Sequence, residues 1–184
     1  MARMNRAQLV LARFDDAEYR VCRGLNRAAG QPWVRDTMRI ASRLGDGLLW
    51  YLLLGAMPLM FGAAAIRPAL VMMLTGVAGL LIYRRLKSAL VRERPFIRHP
   101  GITRAMAPLD RYSFPSGHTL HAVCFTCQAV AHFPVLAWVL VPFSALIALS
   151  RVVLGLHYPT DVLAGAAIGG LLAIAGLALG PVTT

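Results

Sequence analysis

Five stretches of this chain, residues 48–65, 69–83, 119–133, 135–150 and 162–179, are almost free of charge. Crossing ~30 Å of hydrocarbon takes about 20 helical residues, with a lower limit near 17. The first and last stretches meet that limit nearly unaided. The middle three need flanking residues such as Arg84 and His118 to lie near the interface. A soluble bundle with buried helices is the alternative, but five such stretches leave too little polar surface to solvate a 184-residue globule. Apolar residues make up 58% of the chain and mean hydropathy is +0.61, well above ordinary soluble usage. The expected architecture is therefore all-α: a polytopic membrane helix bundle of about five transmembrane helices, with an amphipathic interfacial helix before them.

That division sets two regions, an interfacial segment over residues 1–47 and a transmembrane core over residues 48–184. Within residues 4–29, Val10, Phe14, Ala17, Val21, Leu25 and Ala28 recur at helical spacing and form one apolar stripe. Arg6, Arg13, Arg20 and Arg27 border it and can snorkel to lipid headgroups. The same pattern fits a helix packed on the protein's own loops. Gln31-Pro32 and Gly45-Asp46-Gly47 interrupt the pattern, with a short helix between them. Trp33, Trp50 and Tyr51 are candidate interfacial anchors. No signal peptide is read at the start. Cys124 and Cys127 have CxxC spacing but fall inside a membrane helix, where small packing residues are a better reading than a redox or metal pair.

The net charge of +11 is placed unevenly. Only Arg67 lies between the first two apolar stretches; the other Lys and Arg residues precede Leu48, fall in residues 84–111, or stand at Arg151. Five crossings put all of these on one membrane face. No nucleic-acid recognition motif accompanies the charge, so the expected partners are membrane lipids and a phosphorylated lipid substrate, not nucleic acid.

Three short segments on that face carry chemistry. Lys87 and Arg94 are seven residues apart, with the second apolar helix expected to run on to Arg94 until Pro95 stops it, so both project from one face. Arginine offers phosphate a planar fork and lysine a point charge. Arg92 and Arg98 read only as topology. Pro115-Ser116-Gly117-His118 starts a helix with Ser116 at the N-cap, so backbone amides and the positive helix end form an anion site beside His118. Arg151 ends the fourth stretch and His157 precedes the fifth. Asp161, in that helix's first turn, can accept an imidazole N–H from His157 and leave the other nitrogen free to attack phosphorus. Cations, a nucleophile, an acid and an orienting carboxylate in apolar surroundings point to phosphoryl chemistry on a lipid.

These segments match KX6RP, PSGH and SRX5HX3D in order and spacing, and the chain resembles the type 2 phosphatidic acid phosphatase superfamily. The resemblance implies that Lys87, Arg94, Ser116, Gly117 and Arg151 bind phosphate oxygens. It also implies that His118 protonates the leaving oxygen, His157 is the nucleophile and Asp161 orients it, with no metal and no cofactor. Vanadium-dependent haloperoxidases share the signature. Other readings are a metal site of His118, His157 and Asp161, and a lipid-phosphate binder or transporter without catalysis. The substrate stays open among phosphatidylglycerophosphate, phosphatidic acid, isoprenyl (pyro)phosphates and lipid A phosphate. A multi-pass protein of the bacterial inner membrane is expected. The nine arginines before Leu48 tip the active face toward the cytoplasm, although many bacterial relatives face the periplasm.

Overall fold

The computed structural model describes residues 6–179, with side chains from residue 15 onward. Met4 and Asn5, the side chains of Arg6, Val10, Arg13 and Phe14, and the core's last residues 180–184 lie outside the described residues. Among those described there are eight α-helices and no strand: α1 (Arg6–Arg27), α2 (Pro32–Leu44), α3 (Leu48–Phe61), α4 (Ile66–Ala89), α5 (Pro95–Arg98), α6 (Gly117–His132), α7 (Ala137–Val153) and α8 (Pro159–Leu177). Three helical stretches are long and apolar enough to cross a membrane: Leu48–Ala89, Pro134–Val153 and Pro159–Leu177. The first is two helices, since a 3₁₀ turn at Gly62–Ala65 interrupts it and α3 and α4 pack against each other.

α6 falls short of a crossing by length, at 16 residues, and the reason lies in its surroundings. It is the central helix, packed by α4, α7 and α8, so much of its surface meets protein instead of lipid. Gln128 donates to Thr75 Oγ1 at 2.8 Å, and Thr126 and Ser144 share a 2.6 Å hydroxyl bond, which satisfies polar groups that lipid could not. The α6–α8 contact is the most extensive in the bundle. Gly165 and Gly169 let the two backbones touch: a Cβ on Gly169 would stand 2.3 Å from Leu120 O. Outside, Leu59, Trp138, Leu171 and Ile174 are exposed, an apolar surface suited to lipid and not to water.

Several expectations need correction. α4 ends at Ala89, well short of Arg94, and Arg94 is extended at ψ 152°, as a residue before proline prefers. Lys87 and Arg94 therefore do not share a helical face. Pro95 opens the short α5 instead of only closing α4. Trp50 is no interfacial anchor; it is buried and packs on Phe125, whereas Trp33 and Tyr51 are exposed. Cys124 is buried as a packing residue should be, but Cys127 is exposed.

α1 docks through Glu18, Cys22 and Asn26, and of the described stripe residues Leu25 packs inward beside them. Glu18, Cys22, Asn26 and Ala29 are buried, whereas Ala17, Val21 and Ala28 are exposed. Asn26 donates to the carbonyls of Thr103 and Val153, each at 2.9 Å, and accepts the Thr103 N–H at 2.8 Å. One helix thus braces the loop after α5 and the end of α7.

Candidate active site

A cavity of about 260 Å³ opens where α2, α4, α6 and α7 end. Its polar end is formed by Lys87, Arg94, Asp110, Gly117, His118, Arg151 and His157, joined by Asp46. Its apolar wall comes from α3 and α4, through Trp50, Leu54, Met73, Val77 and Leu80. Six of the eight residues singled out from sequence thus line one cavity. Ser116 and Asp161 do not; both are fully buried behind it.

Helix starts place the residues around the two histidines. Ser116 caps α6, its hydroxyl accepting from Thr119 N–H and lying 2.9 Å from Thr119 Oγ1, so this side chain is committed to the turn. The group that the Pro-Ser-Gly-His segment presents to the cavity is the Gly117–His118 end of the helix. At α8, Pro159 occupies the first turn and Asp161 Oδ2 accepts the Tyr158 N–H at 2.8 Å. Ser116 N–H donates to Asp161 O at 3.0 Å, joining the two helix starts.

His157 is 1% exposed, in the turn between α7 and α8. Arg94 Nη1 lies 3.3 Å from its Nε2. Guanidinium nitrogens only donate, so Nε2 must be the unprotonated nitrogen and Nδ1 carries the proton. Nδ1 faces Asp161 Oδ2 at 3.6 Å, inside ion-pair range but too long for a hydrogen bond. Burial, then the charges of Arg151, Arg94 and Lys87, hold the His157 pKa well below 6.5. The Nε2 lone pair is the one that meets Arg94, a residue that also lines the cavity. The position of the imidazole depends on Gly155, at φ +75°, where a Cβ would stand 2.7 Å from Thr103 O.

The cations converge although α4 stops early. Asp110, from the loop after α5, does the joining: its Oδ1 accepts from Lys87 Nζ at 2.6 Å and from Arg94 Nη2 at 2.7 Å. Burial pushes Asp110 up, but Lys87 and Arg94 outweigh it and hold its carboxyl below the usual range. Arg151 donates through Nη1 to Ser42 Oγ of α2, while among the described residues no partner reaches its buried Nε. A buried donor without a partner is costly, and an oxyanion in the cavity would satisfy it. His118 Nε2 meets Asp46 Oδ1, from the break between α2 and α3.

Four residues of this site had no motif to announce them. Asp46 sat in what reads as a helix-breaking Gly-Asp-Gly, Asp110 in an unpatterned loop, Glu18 on an amphipathic helix, and Arg92 among surface charges. Arg92 is the clearest correction: it donates to Asp161 Oδ1 at 2.7 Å and to Glu18 Oε2 at 2.5 Å. Arg98 does behave as a surface residue, in an exposed pair with Asp15. Among the described residues no three His, Cys, Asp or Glu side chains converge to hold a metal ion.

The fold and cavity define a polytopic membrane protein with a buried cationic pocket at one end of its helices. Comparison with known proteins then specifies it. The PAP2 superfamily model matches residues 64–182, and the chain belongs to that superfamily. Phosphatidylglycerophosphatase B of Bacillus subtilis is 32% identical over 166 residues, covering 77% of this chain and 73% of the relative. Undecaprenyl-diphosphatase BcrC of the same species is 37% identical over 90 residues, covering 49% of this chain and 46% of the relative, so the chain spans about half that protein. The crystal structure of a transmembrane PAP2-type phosphatidylglycerolphosphate phosphatase from B. subtilis superposes with a TM-score of 0.72 at 28% identity, covering 90% of this chain and 85% of that one.

Proposed function

We propose that this chain is an integral-membrane phosphatase that removes phosphate from a lipid phosphomonoester or pyrophosphate through a phosphohistidine at His157. The observation that carries the reading is the placement of His157 at the cavity, with Arg94 Nη1 3.3 Å from its Nε2 and Asp161 Oδ2 3.6 Å from its Nδ1. A phosphoryl group at the polar end takes its oxygens to Lys87, Arg94, Arg151 and the Gly117 end of α6. The lipid tail runs along the α3–α4 wall. His157 Nε2 attacks phosphorus in line, and the bond to the ester or bridging oxygen breaks as His118 delivers a proton to it. Asp161 balances the charge that forms on the imidazole. Water, deprotonated by His118, then cleaves the N–P bond and releases phosphate. Preorganised cations supply the stabilisation of transition-state charge.

The apolar helices α3, α4, α6, α7 and α8 each cross the bilayer in this reading, with the exposed Ala17–Val21 edge of α1 resting on it. The arginine-rich N-terminal region supports a site on the cytoplasmic face, and a periplasmic site is the alternative. Similarity to a phosphatidylglycerophosphatase and an undecaprenyl-diphosphatase supports lipid phosphates of both kinds as substrates. The test is phosphate release by the detergent-purified protein across a panel of lipid mono- and diphosphates, with and without chelator. Acid-labile, alkali-stable labelling by ³²P-substrate is expected, absent in His157→Ala. Full turnover by His157→Ala refutes the nucleophile. Cysteines placed in the loop of residues 99–114 and probed in intact cells report the face.

A further inference from the structure

Behind His157, away from the cavity, the side chains of Arg92, Thr160 and Glu18 close a ring of hydrogen bonds to which Asp161 is joined through Arg92. Arg92 Nη1 donates to Asp161 Oδ1 at 2.7 Å and to Thr160 Oγ1 at 2.8 Å. Arg92 Nη2 donates to Glu18 Oε2 at 2.5 Å, and Glu18 Oε1 accepts the Thr160 N–H at 3.0 Å as well as its hydroxyl. The guanidinium also lies 4.0 Å over the ring of Tyr158. Glu18 is buried although it belongs to α1, which precedes the residues matched by the superfamily model. Neither Arg92 nor Glu18 touches the cavity.

Each oxygen of Asp161 is spoken for. Oδ2 takes the Tyr158 N–H and faces His157, and Oδ1 takes Arg92. The carboxylate cannot turn without breaking both bonds. Arg92 in turn needs Glu18: the two carboxylates occupy separate prongs of one guanidinium, a planar fork that lysine cannot reproduce. We infer that Arg92 and Glu18 are positioning residues for the His157–Asp161 pair, so that docking of α1 is required to aim the nucleophile. α1 thus carries part of the catalytic apparatus besides any contact with lipid. Its Cys22 side chain, against His157 O at 3.9 Å, and the Asn26 bonds to Thr103 O and Val153 O hold the same turn from the same helix.

The inference rests on His157 and Asp161 having the roles proposed above, and the experiment separates the two. Steady-state and rapid-quench phosphohistidine kinetics are measured on the full-length purified chain with Arg92→Gln, Glu18→Gln, their double variant, His157→Ala and Arg98→Gln. Arg92→Gln is expected to lower kcat and the rate of phosphohistidine formation by roughly 10- to 100-fold, the range for residues that orient a reactive group from behind. KM stays unchanged, because the cations of the cavity are untouched. Glu18→Gln gives a smaller loss in the same direction, and the double variant falls little below Arg92→Gln because the two act in series. Arg98→Gln, which removes an exposed tie between the α5 region and α1, leaves kcat unchanged. Where Arg92→Gln fails to fold by thermal shift, the near-isosteric Glu18→Gln decides alone. Wild-type kcat in the folded variants, or a loss confined to KM, overturns the inference while His157→Ala stays inactive. Turnover by His157→Ala overturns the underlying roles instead.

Discussion

Alanine at Gly165 places a methyl group against the backbone of the motif that starts α6. The added Cβ would stand 2.5 Å from Ser116 O, about 0.9 Å short of the 3.4 Å at which ordinary contact begins. That atom is backbone, so no side-chain rotation relieves the overlap. Either α8 moves away or the Ser116–Gly117 turn retreats. Both carry groups of the proposed mechanism, since His118 follows Gly117 and Asp161 lies one turn before Gly165, with Ser116 N–H on Asp161 O at 3.0 Å. A misplacement of ~1 Å costs roughly 100-fold in rate. Gly165→Ala is therefore expected to lose about 100-fold in kcat, with a lower unfolding midpoint. Gly170, five residues on and on another face of α8, has no atom within 4 Å of an added Cβ. Gly170→Ala should keep wild-type kcat. The assay is phosphate release in detergent micelles, with thermal unfolding of the same preparations. Wild-type kcat in Gly165→Ala, or an equal loss in Gly170→Ala, refutes the reasoning that backbone contact sets the site geometry.

Asp110 occupies donors of Lys87 and Arg94 that the proposed mechanism gives to substrate oxygens, so Asp110→Asn should bind inorganic phosphate about tenfold more tightly as a competitive inhibitor, a change of 1.4 kcal/mol; weaker inhibition refutes it. Arg94 and Arg151 oppose a positive charge on His157, so removing one raises the imidazole pKa toward 6.5. Arg94→Gln should accordingly move the acid limb of the kcat/KM profile to higher pH, besides raising KM; an unmoved limb would assign that limb to another group. Asp46 holds Nε2 of His118, and Asp46→Asn should slow lipid phosphates far more than an aryl phosphate whose leaving group needs no proton. Equal losses on both substrates count against His118 as the acid.

How much of this protein was legible beforehand depends on the range of each interaction. Helix starts read correctly because their determinants are local: Ser116 caps α6 within three residues, and Pro159 with Asp161 opens α8 within three. The end of α4 read wrongly because the bonds of Ser113 N and Oγ to Arg92 O, which hold residues 91–94 out of the helix, come from about 20 residues away. Residues 119–133 read as a crossing from their lack of charge, whereas α6 is 16 residues long with its polar residues matched by α4 and α7, a pairing that only the packed bundle reveals. The amphipathic stripe of α1 was visible, yet the helix docks by Glu18, Cys22 and Asn26 beside it.

Residue order alone determined that the chain is helical and membrane-bound, and it singled out eight residues of which six line one cavity, because hydrophobic runs and motif spacing are properties of neighbours along the chain. Which partners those residues have was decided only by folding. Asp110 between Lys87 and Arg94, Asp46 on His118, and Glu18 reaching Thr160 across 142 residues are electrostatic choices made between segments that meet only in the packed bundle. A charge pairs with what lies within a few ångströms, and separation along the chain does not set that distance.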